Sequence, residues 1–473
     1  MSGKWHLGIN GDAHQQQQQQ QQQEVGAAPQ DRRFTPVAHG YESYVGAPWT
    51  NAPMCAMDSD GVSAKVRTGP AFCFLMANDT VVQQPLRLEN FTATITAHAL
   101  SFLARQAADR PATPWFFLMA YFHVHTPLFT SRANRGRSKG GGAFGDNVEE
   151  LDDSVGAIMA AVEGHGYAND TLIFLTSDNG PYQEEGWAHS GRTNVYDPVS
   201  GKRLGRLKGG KGQLFEGGVR MPGAVAWPGV VRAGSSSSTL VSTMDLFPTI
   251  LAAAGVPVPP TATARSTGAR LLLNGDASGG TGPQQLLPYA IDGQDMGPVL
   301  RGQTTASQHE VFLHYCGFEI VAARVLGRWK VWWTMQNWYT NDSRNASICL
   351  ECCNGVNPYS RVTGAVATDL CGCSDAPGSH DLRRLAQPVV FDVQQHDMME
   401  LWPITSQAGW PTDPAAAAVS FSAVVGMATA AREVMERAVH PTPSKAGAGT
   451  CTGSFLPNAL PYPALPYTLP CLT

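Results

Sequence analysis

Four short segments place lysine, histidine, aspartate or asparagine beside glycine or at the end of an apolar run. Glycine lets the backbone approach a ligand closely, and the carboxyl end of a buried strand in an open α/β sheet borders a ligand-binding crevice. Cationic side chains at such places can hold an anion, and oxygen-bearing ones can hold a metal ion. The segments are, in chain order, GKWHLG at 3–8, HVHTPLF at 123–129, FLTSDNG at 174–180 and KGGKGQLFEGGVRMPG at 208–223.

Four basic residues in these segments are candidate anion ligands. Lys4 and His6 are separated by one residue in an expected extended segment, so their side chains should point the same way and converge on one anion. Lys211 lies in a glycine-rich loop, and its ammonium group stays charged at neutral pH unless it is strongly desolvated. His125 follows an apolar run and precedes a Thr-Pro pair. A single lysine or histidine near glycine is more often solvated or structural, so the interpretation depends on their joint order.

A metal site is indicated by Asp178 and Asn179, which end a predicted buried strand just before Gly180. Adjacent carboxylate and amide oxygens suit a hard cation such as Ca²⁺, which takes about six to eight oxygens and therefore needs several more donors. The alternative is an Asp-Asn-Gly turn that only ends the strand. The other aspartate pair, Asp152 and Asp153, is predicted to face solvent from the polar side of a helix.

Helices and apolar runs alternate through the first half of the chain. A helical pattern at 93–106 precedes the run WFFLMAYF at 115–122, and a second helix, capped by Asp146 with Glu149 three residues later, precedes TLIFLT at 171–176. This order predicts a mostly parallel sheet of buried strands, covered on both sides. The expected buried face of the second helix comprises Val148, Leu151, Val155, Ile158, Met159 and Val162.

The second half predicts a smaller unit. An amphipathic helix is expected at 244–255, antiparallel strands between 310 and 335, a further strand at 388–393 and a closing helix at 419–439. These elements indicate a small α+β subdomain with an antiparallel sheet.

The four segments, in this order, closely resemble those of the sulfatase family within the alkaline-phosphatase-like superfamily, and the C-terminal part resembles that of arylsulfatase A and steroid sulfatase. The resemblance implies an α/β alkaline-phosphatase-like sandwich with a mostly parallel central sheet plus the C-terminal α+β subdomain. The expected domains are 1–305, with the glutamine tract 15–23 as a surface insertion, and 306–473. The implied activity is hydrolysis of a small-molecule or glycan sulfate ester.

The resemblance also implies roles for the candidate residues. Catalytic roles fall on Lys4, His6, His125 and Lys211, of which Lys4, His125 and Lys211 would bind the substrate. Asp178 and Asn179 would hold one divalent cation, Ca²⁺. Arg220 resembles part of a structural turn, with a buried carboxylate as its expected partner. Two further assignments are that His125 carries the role rather than His123, and that His189 is at most a substrate-side contact.

The family's nucleophile, a formylglycine made from cysteine within Cys-x-Pro-x-Arg, has no counterpart among the ten cysteines. In the family this motif and a pair of metal-binding aspartates precede the GKWHLG segment. We therefore expect the chain to be a truncated form that is inactive as given, with an incomplete metal site. It should also express poorly alone, because a missing central strand would expose sheet edges and apolar surface.

Charge and hydropathy limit the partners. With 33 Lys and Arg against 38 Asp and Glu, the net charge is -5, which excludes a global basic field for nucleic acid. No apolar run is long enough for a membrane span, and the oligomeric state cannot be inferred from the sequence.

The cysteines and Asn-x-Ser/Thr sequons favour the secretory pathway, with a lysosomal or vacuolar lumen or the extracellular space as destination, although no signal peptide is present in the chain. Disulfides are favoured over a zinc site for the cysteines between 349 and 373. The sequons lie at Asn78, Asn90, Asn169, Asn341 and Asn345.

Two other functions remain open at this point. A phosphate or phosphonate esterase of the same superfamily would share Asp178 but should bring further metal-binding His and Asp residues. A non-catalytic sulfatase-like protein would keep the shell as a binding module.

Overall fold

The structure is a computed structural model that describes residues 1–7, 34–49, 74–125, 128–139, 141–181, 207, 210–259, 262–264, 271–273, 291–316, 319–336, 382–394, 400 and 403–439. The strands are β1 (Ser2–Lys4), β2 (Val45–Ala47), β3 (Leu75–Ala77), β4 (Thr80–Gln83), β5 (Met119–Ala120), β6 (Ile173–Thr176), β7 (Gly223–Ala226), β8 (Ala262–Ala264), β9 (Leu271–Leu273), β10 (Val311–Cys316), β11 (Glu319–Val325), β12 (Trp329–Gln336) and β13 (Leu382–Asp392). The α-helices are α1 (Phe91–Asp109), α2 (Gly142–Gly164), α3 (Glu216–Val219), α4 (Leu246–Ala253), α5 (Gly297–Leu300), α6 (Pro414–Ala417) and α7 (Phe421–Val439). Short 3₁₀ helices lie at Pro36–His39, Leu88–Asn90, Ala168–Asp170, Thr243–Asp245 and Gln407–Gly409.

The sheet of the N-terminal half is mixed, with strand order β4-β3-β2-β1-β5. Strand β1 is parallel to both neighbours, since Ser2 is opposite Val45 on one side and Met119 on the other. Strands β2, β3 and β4 pair antiparallel. The parallel pairing predicted for the first segments is therefore found around β1, while the described outer strands extend the sheet in the antiparallel sense.

The two apolar runs predicted as buried strands are partly exposed. Within WFFLMAYF, β5 comprises Met119 and Ala120 alone, and Phe116 is 53% exposed. Within TLIFLT, Leu175 of β6 is 39% exposed. Among the described residues β5 pairs with β1 alone and β6 with β7 alone. Neither run therefore has a neighbouring strand on both sides.

Helix α1 forms where the pattern predicts it, but helix α2 departs from its prediction in two respects. It begins at Gly142, so Asp146 is not its cap; the buried Asp146 carboxylate instead accepts hydrogen bonds from the backbone N–H groups of Gly136 and Ser138. The buried face is also largely polar, since Val162 alone of the expected apolar set is buried. The hydroxyls of Thr96 and Ser154 lie 2.5 Å apart between α1 and α2, which explains the inward polar face.

The C-terminal elements agree with the antiparallel prediction. Strands β10, β11, β12 and β13 form one antiparallel sheet in that order. Helix α7 packs on this sheet, and the core between them contains Trp329, Val331 and Ala428. The proposed boundary after residue 305 stays a prediction.

Several predictions concern residues outside the described part of the chain. These are the glutamine tract 15–23, His189, the cysteines between 349 and 373, and the sequons at Asn341 and Asn345. Cys316 is disulfide-bonded. Within the described ranges, the helices are all too short or too polar to cross a bilayer.

Candidate active site

Lys4 and His6 lie at the carboxyl end of β1, where the backbone continues alongside β2. The N–H of Trp5 donates to the carbonyl of Ala47 at 3.1 Å, and the N–H of His6 donates to that of Pro48 at 3.0 Å. His6 adopts a left-handed backbone, with φ of 53°, so the extended geometry expected through His6 is wrong. Simple strand alternation therefore does not explain how Lys4 and His6 come together.

His6 nevertheless lies within electrostatic range of the Lys4 side chain. Burial lowers the pKa of His6, and the charges of Lys4 and then Lys211 lower it further. A like charge acts in this way only at short range. The His6 ring also contacts Trp49, with ring centroids 4.8 Å apart.

Lys211 and His125 form a direct pair. The Nζ of Lys211 lies 3.1 Å from the Nε2 of His125. Backbone hydrogen bonds hold both residues: the N–H of His125 donates to the carbonyl of Phe122 at 2.7 Å within a turn, and the N–H of Lys211 donates to the carbonyl of Pro181 at 2.8 Å. The second of these bonds ties the Lys211 loop to the chain that leaves β6.

Asp178 and Asn179 follow β6 as predicted, and their side chains contact each other. The amide Nδ2 of Asn179 donates to Oδ1 of Asp178. The Oδ1 of Asn179 is buried and has no hydrogen-bond partner. A buried unsatisfied oxygen beside a carboxylate is the donor chemistry that a hard cation requires, so this pair fits part of a metal site.

The chain after Asn179 packs directly on the Lys211 loop. The N–H of Gly180 donates to the carbonyl of Gly218 at 3.0 Å, and a Cβ added at Gly180 would lie 1.9 Å from the carbonyl oxygen of Gly217. Only glycine permits this approach, which explains why Gly180 follows the Asp-Asn pair.

The charges of the site act on one another. Burial lowers the pKa of Lys4, Asp178 raises it, and Lys211 lowers it again. Lys4 therefore lies within electrostatic range of both Asp178 and Lys211. Two lysines against one carboxylate leave an excess of positive charge, which suits a multiply charged anion.

Sequence profiles identify the family. Residues 1–256, more than half of the chain, match the profile described as Sulfatase.

The chain belongs to the sulfatase family.

Individual members of the sulfatase family show the same relationship. The chain is similar to steryl-sulfatase of Homo sapiens, with 32% identity over 340 residues, 71% of this chain and 48% of the relative. It is similar to arylsulfatase A of Bos taurus, with 30% identity over 320 residues, 66% of this chain and 51% of the relative. The chain thus spans about half the length of the curated sulfatases that it matches.

A solved sulfatase structure supports the fold. The crystal structure of a sulfatase from Pseudoalteromonas sp. matches with a TM-score of 0.59 and 17% identity, covering 92% of this chain and 70% of that one. At this identity the likeness concerns the fold alone. It confirms the alkaline-phosphatase-like class expected from the sequence.

The structure also describes the residues to which the sequence analysis gave no catalytic role. His123 is buried, with Nε2 2.9 Å from the hydroxyl of Thr92 and 3.5 Å from Oε2 of Glu150. Arg220 lies 3.9 Å from the buried carboxylate of Glu216, as expected for a structural residue. Asp152 and Asp153 are exposed on α2, as predicted.

Sequence reasoning missed a buried charge network behind the Lys211 loop, formed by Glu216, Lys330 and Glu400. Within it, Glu216 and Lys330 lie 3.1 Å apart although 114 positions separate them. The sequence feature that could have indicated this network is a charged residue inside an apolar run. The clearest example is Lys330 in RWKVWWTM.

Proposed function

We propose that this chain provides the oxyanion-binding part of a sulfuric ester hydrolase of the arylsulfatase type. The substrate would be a small-molecule or glycan sulfate ester, and the reaction with water would give an alcohol and inorganic sulfate. The observation that carries the proposal is the 3.1 Å contact between Lys211 and His125, beside Lys4 and Asp178. Because the chain spans about half the length of its relatives, the whole protein's activity is itself part of the proposal.

Lys4 and Lys211 hold the sulfate group as fixed cations in this scheme. Negative charge builds up on the sulfate and on the departing oxygen as the ester bond breaks, so preorganised cations stabilise the transition state more than the bound ester. His6, beside Lys4, contributes a further hydrogen bond to the same group. The Lys211–His125 pair supplies the proton that the leaving alcohol takes, since the two nitrogens are within hydrogen-bonding distance of each other.

A divalent cation, Ca²⁺, is proposed at Asp178 and Asn179. The Asp178 carboxylate and the buried Oδ1 of Asn179 are the donors that this chain supplies. When bound, the cation would neutralise charge on the sulfate oxygens. Among the described residues no group of three or more His, Cys, Asp or Glu side chains could hold a metal, so further oxygen donors are part of the proposal.

The attacking group is proposed to be a formylglycine that this chain does not contain. None of its ten cysteines is followed by Pro two residues later and Arg four residues later. The same observation favours a second candidate function, a sulfatase-like protein that binds sulfate esters without hydrolysing them.

The purified chain, assayed with a fluorogenic aryl sulfate and with Ca²⁺, tests both functions. We expect no turnover, while calorimetry detects binding of inorganic sulfate that the uncleaved ester displaces. Turnover by this chain would contradict the assignment of the nucleophile, and a lack of sulfate binding would contradict the oxyanion site. Joining the chain to an upstream segment that carries Cys-x-Pro-x-Arg separates the two candidates, because turnover follows only for the hydrolase.

The secretory pathway is proposed as the compartment, with disulfides and glycans on the mature protein. This rests on the ten cysteines and on the sequons at Asn78, Asn90 and Asn169 within the described residues. Mass mapping of the unreduced, glycosidase-treated protein tests the proposal, and free thiols throughout would contradict it.

A further inference from the structure

The loop that carries Lys211 ends in a buried acidic residue held by the C-terminal sheet. Glu216 begins the short helix α3, five residues after Lys211, and its side chain is 3% exposed. Its Oε1 lies 2.8 Å from the guanidinium of Arg324 on β11 and 3.1 Å from the Nζ of Lys330 on β12. These two cations hold the pKa of Glu216 well below its usual range, at about 2, against the effect of burial.

Lys330 and Glu400 also bind the backbone of the same loop. Lys330, fully buried, donates from Nζ to the carbonyl of Leu214 and lies 3.4 Å from Oε1 of Glu400. The Oε2 of Glu400 accepts the N–H of Glu216 at 2.8 Å. Its Oε1 accepts the indole N–H of Trp332 at 2.9 Å. The C-terminal part therefore holds the loop at a carbonyl and at an N–H only two residues apart.

The segment between these anchors and Lys211 is tightly folded. The N–H of Gln213 donates to the carbonyl of Gly210, and the N–H of Gly210 donates to the side-chain Oε1 of Gln213, both at 3.0 Å. Phe215, fully buried, packs on Trp332 with ring centroids 5.1 Å apart. A displacement of the loop at Leu214 or Glu216 would therefore be passed to Lys211.

Buried charge networks are a poor source of stability, because their desolvation offsets most of the attraction and apolar residues of similar volume often serve as well. Breaking such a network is nevertheless costly, because removal of one partner leaves the other charge buried and uncompensated. This network joins the C-terminal sheet to the one loop among the described residues that presents a lysine to His125.

We propose that Lys330 and Glu400 are positioning residues, which fix the Lys211 loop from the C-terminal sheet so that the Lys211 ammonium stays beside His125. The inference rests on the proposed function, because it assigns the network a role in holding a sulfate group through Lys211.

Calorimetric binding of inorganic sulfate to the full chain at neutral pH tests the proposal. Glu400→Gln removes a buried charge with little change of shape, and Trp332→Phe removes the N–H donor to Glu400 and part of the ring volume while an aromatic ring remains against Phe215. We expect Glu400→Gln to weaken sulfate binding about tenfold and Trp332→Phe about threefold. In a Lys211→Ala background, the same substitutions should change binding by less than about twofold, because neighbouring groups that act through one another are not additive.

A matched control lies on the same sheet. Asp392, 1% exposed, pairs with Arg328 at 2.6 Å, and Arg328 also pairs with Asp413, the residue that caps α6, so this pair joins the sheet to α6. Asp392→Asn therefore removes a comparable buried charge, and sulfate binding should stay within about twofold of the parent.

The possible outcomes distinguish failure of the positioning role from failure of the proposed function. Equal losses with and without Lys211, or an equal loss in Asp392→Asn, would mean that the network acts only on general stability, and the positioning role would be overturned. Sulfate binding that is absent, or unchanged in Lys211→Ala, would overturn the proposed function and the inference with it. If Glu400→Gln does not fold, Trp332→Phe alone decides by the same comparison.

Discussion

The ammonium nitrogen of Lys211 lies 3.1 Å from Nε2 of His125, although 86 positions separate the two residues in the chain. One comes from a glycine-rich loop and the other from the turn after β5, and separate hydrogen bonds hold each backbone. The contact joins two of the four segments that the sequence singled out. It also defines the part of the site where a proton can be passed to a leaving group.

Replacing Lys211 should weaken anion binding. Lys211→Ala removes one of the fixed cations of the site, and we expect sulfate affinity to fall by about tenfold to a hundredfold, a loss of about 1.5–3 kcal/mol typical of a charged hydrogen bond. Isothermal calorimetry at low ionic strength measures the change. Lys139→Ala, at an exposed lysine outside the site, should leave the affinity unchanged. An equal loss of affinity in both variants would show that the net charge of the protein, and not the position of Lys211, governs sulfate binding.

Calcium should stabilise the chain weakly and through Asp178. Two oxygen donors are far fewer than Ca²⁺ takes, so we expect millimolar affinity and a rise in melting temperature that saturates only at high calcium. Asp178→Asn should abolish the rise, and a chelator should reverse it in the parent. Asp152→Asn, at an exposed aspartate of α2, is the control. A rise that survives Asp178→Asn would argue against this site.

Acid should destabilise the protein partly through His314. Burial, with Lys330 as a second cause, lowers the pKa of this histidine from about 6.5 to about 3. Between these values the unfolded chain binds the proton and the folded chain does not, so stability falls as pH drops through this window. We expect a contribution on the order of a few kcal/mol.

Urea unfolding at a series of pH values measures the His314 effect. His314→Leu should flatten the decline between about pH 6.5 and pH 3, whereas His165→Ala, at an exposed histidine, should not. An unchanged slope in His314→Leu would show that other groups account for the acid sensitivity.

Close packing at Gly218 should make the Lys211 loop sensitive to a single methyl group. A Cβ at Gly218 would lie 2.0 Å from the carbonyl oxygen of Gln213 and 2.4 Å from that of Gly210, and these backbone atoms cannot yield without moving the loop. Gly218→Ala should therefore lower sulfate affinity about tenfold. At Gly223 a Cβ meets nothing within 4 Å, so Gly223→Ala should retain binding. Retention by both variants would mean that the loop tolerates displacement.

The elements that follow local patterns were predictable from the sequence. Helix α1 and the antiparallel strands β10 to β12 form where apolar periodicity placed them, because burial of one face imposes a period that is visible within a few residues. The glycine-flanked lysines and the Asp-Asn-Gly turn were visible for the same reason, since close backbone approach requires glycine at fixed positions.

Contacts between residues far apart in the chain were decided by the tertiary structure. Nothing local indicates that the buried face of α2 is polar, because its partners Thr96 and Tyr121 come from other elements. Nor could the sequence place Glu400 against the N–H of Glu216, 184 positions away. Partners at such separations are chosen by how whole sheets and helices pack, and a short window of sequence carries no record of that choice.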